Sequence, residues 1–448
     1  MASRDSKTGP KIKILSRKQR LALGEQARRR FNRSEFCDLN PKKRGFDPSE
    51  VLLAAKRDRV PALLPVKYGR MSASPFAFFR GSVPIMAADL GRQKHTNLIV
   101  QLCGDAHLQN LGSFEAPDGR IVFDINDFDE TIAGPWEWDV KRMAASIVLA
   151  GLECGHSVSK SSGAAHDFAA SYVRTIEELA EEPILVAARH QIHRLKKAQA
   201  ISAALMQAQR AQPADLLKKY TEVGARGGIR FRNVDHVLWR LSGSKKQEIL
   251  AALPTYRESL PPERLHLFDF FKPLDVAFKI VGTGSVALRD YVVLMSGNGK
   301  VDPLFLQVKQ EVASAYSPYL KASAGEHEGR RVVQGQHKIQ PISDLLLGWT
   351  RIEGRDYLVR QLNDHKGSVN LDNLRGESLN ELAGIAGELL GRGHARSGDA
   401  LAVKGYIGNS DHVPDAIVRY GTEYAELAES DFEQFQKAVK QGRFKVAA

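Results

Sequence analysis

The spacing of apolar residues changes period twice along this chain, and that change limits what it can fold into more than any other feature. From Trp138 to about residue 260 the apolar residues recur at helical spacing, as in WDVKRMAASIVL and ILVAARHQIHRLKKAQAISAALMQAQ. Between residues 276 and 309 they form strand-like runs, VAFKIVGTGS, VALRDYVVLM and PLFLQVK, with a Ser-Gly-Asn-Gly turn before the last. Helical spacing returns near residue 326, RDYLVRQL at 355–362 reads as a strand, and helices are expected at 379–395 and 413–439. At 448 residues the chain is too long for one simple core. The helix–sheet–helix order predicts an α+β molecule of two lobes. The expected segments are a basic arm and helix at 1–60, the first part of a helical lobe at 61–262, a β-rich lobe at 263–362, and helices completing the first lobe at 363–448. Pro261-Pro262 marks the change of character and is expected to be an exposed crossing between lobes.

No apolar run approaches the roughly 18–20 residues that span a bilayer, so membrane insertion is not expected. The N-terminus, MASRDSKTGPKIKILSRKQR, is basic and lacks the apolar segment of a secretory signal. Cys37, Cys103 and Cys154 are widely spaced and odd in number, which argues against a disulfide framework and a cysteine zinc site; a reducing cytoplasm is the expected setting. The net charge of +12 suits an anionic partner such as a nucleotide, a phosphorylated metabolite or a nucleic acid. Much of the excess lies in Lys11, Lys13, Arg17, Lys18, Arg20 and Arg28-Arg29-Arg30, read as a solvated arm in preference to a nucleic-acid-binding one.

The chemistry concentrates after the strand-like run TNLIVQLC at 96–103, in the loop Gly104-Asp105-Ala106-His107-Leu108-Gln109-Asn110. A hairpin with an Asp118-Gly119 turn follows, then Asn126-Asp127-Phe128-Asp129-Glu130. Phosphoryl transfer needs a carboxylate to orient or deprotonate the acceptor hydroxyl, an amide oxygen and a second carboxylate for a metal, and a cation on the phosphates. Asp105 and Asn110 have the separation found in the kinase catalytic loop, and Asp127-Phe128-Asp129 falls where a kinase has its metal-binding segment. His107, the second candidate catalytic residue, is read as supporting the loop, because no other histidine stands at helical or hairpin spacing from it.

The remaining parts lie downstream. Val281 to Ala287, VGTGSVA, sits in a hairpin, and Lys309 ends the next strand. Paired glycines let backbone N–H groups approach phosphate oxygens, and a lysine supplies a point charge. Gly282, Gly284, Ser285 and Lys309 are therefore the expected nucleotide grip, with Ala287 standing where a third glycine is usual. A helix near 326–340 is expected to bring Glu328 to Lys309, with Glu311 as the alternative. Gln361 and Leu362 lead into Asn363-Asp364, the expected hinge against adenine. Arg70 and Arg80 flank an aromatic run and are candidates for contact with an anionic substrate or a terminal phosphate.

The segment from Asp105 to Asp129 resembles the aminoglycoside and choline phosphotransferases of the kinase-like superfamily, where His-Gly-Asp-x-x-x-x-Asn precedes Ile-Asp-Phe. Cys103 stands here in place of that histidine. The resemblance implies Asp105 as catalytic base or acceptor-orienting group and Asn110 and Asp127 as ligands of Mg2+. It implies Asp129 as an aid to metal or acceptor, and Asp139, in Trp138-Asp139-x-x-Arg142, as the brace of the catalytic-loop backbone. Glycine hairpin, lysine strand, hinge and the helix ending His394-Ala395-Arg396-Ser397 follow one another as in that superfamily. The catalytic loop that should come next lies instead near residue 100. The expected fold is thus bilobal, protein-kinase-like and circularly permuted, with the catalytic loop in 61–262 and the nucleotide held by 263–362. The blocks Arg-Met-x-x-Ser-Pro-Phe from Arg70, Gly-Asp-x-His from Gly104, Asn-Asp-Phe-Asp-Glu from Asn126 and His-Ala-Arg-Ser-Gly-Asp from His394 are similar to a bacterial family called domain of unknown function 2252.

These readings lead to an ATP- and Mg2+-dependent phosphotransferase acting on a hydroxyl of an unidentified small molecule or protein. One rival is an AMP transferase that holds ATP reversed. Another is a catalytically inactive nucleotide-binding regulator, toward which Cys103 and Ala287 point, and a third is a basic nucleic-acid binder.

Overall fold

The computed structural model describes residues 14–39, 44–56, 58–189, 199–211, 213–225, 227–280, 286–299, 302–320, 325–362, 366–409 and 411–447. The chain is a mixed α+β structure with a helical half and a sheet half, and no helix among the described residues is long and apolar enough to cross a membrane.

The helical half is built around Trp136–Glu153, a helix buried from Trp136 to Gly151. It packs against Val158–Glu181 and His412–Lys440, and Ser378–Ser397 lies along the former. A helix enclosed on all sides is expected to be apolar on all sides. This one carries Glu137, Asp139, Lys141, Arg142 and Ser146 in its buried length, and Asp139, Arg142 and Ser146 build the site described below. Ser16 and Gln19 form a capping box that starts the helix Arg17–Arg30. Arg17 pairs with Glu181, and Arg20 donates to both carboxylate oxygens of Asp399 at 2.8 Å. The part of the expected arm from Arg17 onward is therefore a packed helix, while Lys11 and Lys13 lie outside the described residues.

The sheet half is a six-stranded antiparallel sheet in the order Gly348–Ile352, Arg355–Gln361, Pro303–Glu311, Asp290–Ser296, Lys272–Lys279, Leu238–Arg240. Alternation along Pro303–Glu311 sends Leu304, Leu306 and Val308 into one core layer with Tyr256, Val293 and Tyr357. Phe305, Gln307, Lys309 and Glu311 take the opposite face, where Phe305 packs with Phe231, Val292 and Leu294.

Three features differ from the sequence reading. The stretch read as helical before residue 260 contains the hairpin Thr221–Val223 with Ile229–Phe231 and the edge strand Leu238–Arg240. Strands of three residues are too short for a period-two pattern to register. Pro261-Pro262 is a turn between Leu253–Ser259 and Pro262–Asp269, and both helices contribute to the sheet's own core through Leu253, Tyr256 and Phe268, so it is no crossing between halves. The sheet half accordingly begins well before residue 263. Gln199–Arg210 packs on the strands Leu111–Glu115 and Lys366–Ser368 of the helical half, whereas Pro213–Tyr220 packs on the sheet, which puts the crossing just after Ala211.

Candidate active site

The loop from Cys103 to Asn110 leaves the strand Ile99–Leu102 and is held by one stripe of the buried helix. Asp139 accepts from the backbone N–H groups of Cys103 and Gly104 at 2.7 and 2.9 Å. One helical turn on, Arg142 donates to Asp105 Oδ1 from Nε at 2.8 Å and from Nη2 at 2.5 Å. A further turn on, Ser146 Oγ accepts from the Leu108 N–H at 3.1 Å. Positions three and seven residues apart share a helix face, so a single element fixes the loop. His394 stands behind it, with Nε2 3.3 Å from Asp139 and Nδ1 2.9 Å from the Tyr172 hydroxyl. Gly104 has φ +86°, and a Cβ there would collide with the Glu130 carbonyl, so the turn requires glycine.

Burial works against the charge of Asp105, but Arg142 and then His107 outweigh it and hold the carboxyl well below the usual carboxylate range. His107 is buried with Nε2 3.6 Å from Asp105, and burial lowers its pKa despite that neighbour. Asn110 donates from Nδ2 to the Asp105 carbonyl at 2.8 Å, which leaves its Oδ1 as the atom able to face a cation.

The second carboxylate segment meets the sheet. Lys309, buried on the cleft face of its strand, forms an ion pair with Asp129 and stands 3.8 Å from Asp127. Burial opposes charge on Asp127, yet Lys309 and Arg360 hold it below the ordinary carboxylate range; burial and the Asp127 charge push Asp129 up. Arg331, on the helix Glu328–Ile339, fixes the backbone by donating to the carbonyls of Thr131 at 2.5 Å and of Asp129 and Val312 at 2.9 Å. Tyr316 donates to the Gly104 carbonyl at 2.8 Å, and the Ala315 N–H donates to Glu130 at 2.7 Å, which ties the strand's exit to both loops.

Asp105, His107, Asn110, Asp127 and Asp129 line one cleft together with Arg80. Arg70 is not among its lining residues. Glu328 does not reach Lys309: it is the first residue of its helix and pairs with Arg331, while its backbone N–H is taken by Asp356. The alternative, Glu311, lies two residues from Lys309 on the same strand face and lines the cleft, where burial and then the Asp129 charge push its carboxyl well above the usual carboxylate range. Gln361 and Leu362 line a neighbouring pocket with Asn126, Gln307 and Arg360. Their N–H groups are already bound, to Asp344 at 2.5 Å and to the Phe305 carbonyl at 2.7 Å, so they are not free to meet a base. Gly282, Gly284, Ser285, Asn363 and Asp364 lie outside the described residues. Just past that gap Ala287 has φ +73°, a conformation that glycine adopts at less cost.

Residues that the sequence reading missed include Arg59, Lys67 and Glu130 in the cleft wall, and Arg331 and Ser146 behind it. Among the described residues no group of three or more His, Cys, Asp and Glu side chains is arranged to hold a metal ion. The oxygens of Asn110 and Asp127 nonetheless suit Mg2+, which keeps several waters and takes further ligands from phosphates, so that two protein ligands suffice.

Fold and site together define an α+β protein in which a helix-braced acidic loop and a second carboxylate segment, the latter paired with a strand lysine, line one cleft. The chain belongs to the family described as uncharacterized protein conserved in bacteria (DUF2252), whose model matches residues 59–438 and so contains the whole cleft. No curated protein and no solved structure matches it.

Proposed function

We propose that this chain is an ATP- and Mg2+-dependent phosphotransferase with a circularly permuted, kinase-like arrangement, acting on a hydroxyl acceptor. The observation that carries the reading is the meeting of Lys309 with Asp129, 180 residues away in the chain, beside Asp127, two carboxylates that line one cleft with Asp105 and Asn110. Lys309 also lies on the third strand of an antiparallel meander that is followed by a helix, the position of the phosphate-binding lysine in protein kinases. The three free thiols fit a cytoplasmic setting.

In this reading the acceptor oxygen forms a bond to the γ-phosphorus while the bond from that phosphorus to the β,γ-bridging oxygen breaks. ADP leaves, and the acceptor proton passes to Asp105 and on to water. Asp105 is a weak base because Arg142 keeps it ionised, which suits a step dominated by positioning and electrostatics. Lys309 offers charge to the phosphates, and Asn110 and Asp127 offer oxygens to Mg2+. When bound, that ion neutralises charge on the transferred group.

The test combines binding with product analysis. Mg-ATP at about a hundredfold excess over its dissociation constant should stabilise the native state by roughly 2.7 kcal/mol, read as a rise in melting temperature. Label from the γ-phosphate should pass to a component of a cell metabolite extract. Release of pyrophosphate with transfer of α-label would assign AMP transfer instead. No melting shift with either Mg2+ or Mn2+ would remove the nucleotide reading altogether.

A further inference from the structure

We propose that Arg59, Lys67 and Arg80 form a subsite for a second anion, a phosphate or carboxylate carried by the acceptor a few atoms from its reacting hydroxyl. That the anion belongs to the acceptor rests on the phosphotransferase reading; that an anion binds does not. The three cations come from the segment 59–84, which is part neither of the sheet nor of the acidic loops, and they line the same cleft as Asp105. Arg59 is anchored in that wall, donating to the Ala55 carbonyl at 3.2 Å and to the Val286 carbonyl at 2.6 Å. Arg80 Nε is buried with no hydrogen-bond partner. A guanidinium nitrogen left unpaired in a cleft is costly unless a ligand completes it. Burial outweighs the pull of nearby carboxylates on all three cations and lowers their pKa values, so added negative charge would be favoured there.

An acceptor reaching Asp105 with its hydroxyl would place such a group against this wall, while the phosphates of ATP are matched separately by Lys309. Two anions are therefore held at once. The experiment titrates inorganic phosphate and, separately, malonate into the full chain by calorimetry, with and without saturating Mg2+ and a non-hydrolysable ATP analogue. At least one anion should bind with the analogue present, and the stronger of the two identifies the group. Arg80→Gln should weaken that anion by about tenfold or more while changing analogue affinity less than about twofold; Arg80→Lys, which keeps the charge, should recover part of the loss. Competition between anion and analogue would overturn the proposal, since the wall would then serve the nucleotide's own phosphates. So would the absence of binding by either anion, or unchanged anion affinity in a folded Arg80→Gln. If the anion binds through Arg80 but the analogue does not bind at all, the anion site stands and the phosphotransferase reading falls.

Discussion

A carboxylate that faces a reacting hydroxyl from a largely dehydrated position must be paired, or it takes up a proton instead. Asp105 is paired by Arg142, whose side chain is fully out of water, lies over the Phe79 ring at 4.3 Å and also donates to the Phe79 carbonyl at 3.2 Å. Removing one partner strands the other. Arg142→Met is expected to cost about 3–5 kcal/mol in urea unfolding, the penalty of an uncompensated buried charge. The double variant Asp105→Asn, Arg142→Met should be more stable than the sum of the single effects by about 0.5–3 kcal/mol; strict additivity would show that the two side chains do not act as a pair. Because the folded pKa of Asp105 is depressed, the stability it contributes is present at neutral pH and is lost only as pH falls through that depressed value. Spacing marked Asp105, Asn110, Asp127 and Lys309 as candidates in the sequence, since loop chemistry and a strand lysine leave local patterns, and Asp139 came from the family resemblance. Arg59 and Lys67 leave none, because only the tertiary fold turns their segment toward the cleft. Glu328 was misjudged for the same reason: position on a helix does not say which neighbour a carboxylate will find first, and Arg331 is one turn away.

At the scale of elements, the helix Trp136–Glu153 gives up apolar surface in order to hold a loop. Asp139, Arg142 and Ser146 would each destabilise a buried helix if unpaired, and each is satisfied by the Cys103–Asn110 loop. Ser146→Ala tests this arrangement with little change in volume. It leaves the Leu108 N–H buried without a partner and is expected to cost about 1–3 kcal/mol in chemical denaturation. A cost near zero would mean that the loop is held by Asp139 and Arg142 without it. The long helices and the three-stranded meander could be read from periodicity because each spans several repeats of its pattern. The strands Thr221–Val223, Ile229–Phe231 and Leu238–Arg240 could not, being shorter than one informative window. The Pro261-Pro262 turn misled for a related reason. A proline pair marks a break between elements but does not say whether both neighbours pack on the same core, and here Leu253–Ser259 and Pro262–Asp269 do.

For the molecule as a whole, the permuted reading makes a claim about connectivity that can be tested by re-cutting the chain. The path leaves the helical half after Ala211, enters the sheet half with Pro213–Tyr220, and returns where Lys366–Ser368 pairs with Leu111–Glu115. A gene running from residue 213 to 448, through a flexible linker, then from 1 to 212 would restore glycine hairpin, lysine strand, hinge, helix and catalytic loop to conventional order. Every contact of the cleft is preserved, since Lys309 still meets Asp127 and Asp129 and only the joints are moved. The joint has one constraint. The C-terminal residues are docked, with the Ala447 N–H donating to the Pro65 carbonyl at 2.9 Å and Phe444 packed on Tyr68, so the linker must start beyond them and not pull them free. A Gly/Ser linker reaches about 5–6 Å times the square root of its residue number, so about 25 residues span roughly 25–30 Å. Cuts between packed elements are tolerated better than cuts through them. The 212/213 re-cut should therefore fold cooperatively and give the same melting shift with Mg-ATP as the parent. A re-cut at 262/263 divides two helices that share a core and should melt lower or fail to fold. If both re-cuts fold equally well, the crossing is not where the packing puts it. If the 212/213 chain folds but loses the nucleotide response that the parent shows, the conventional order is not equivalent to the natural one, and the permuted reading falls.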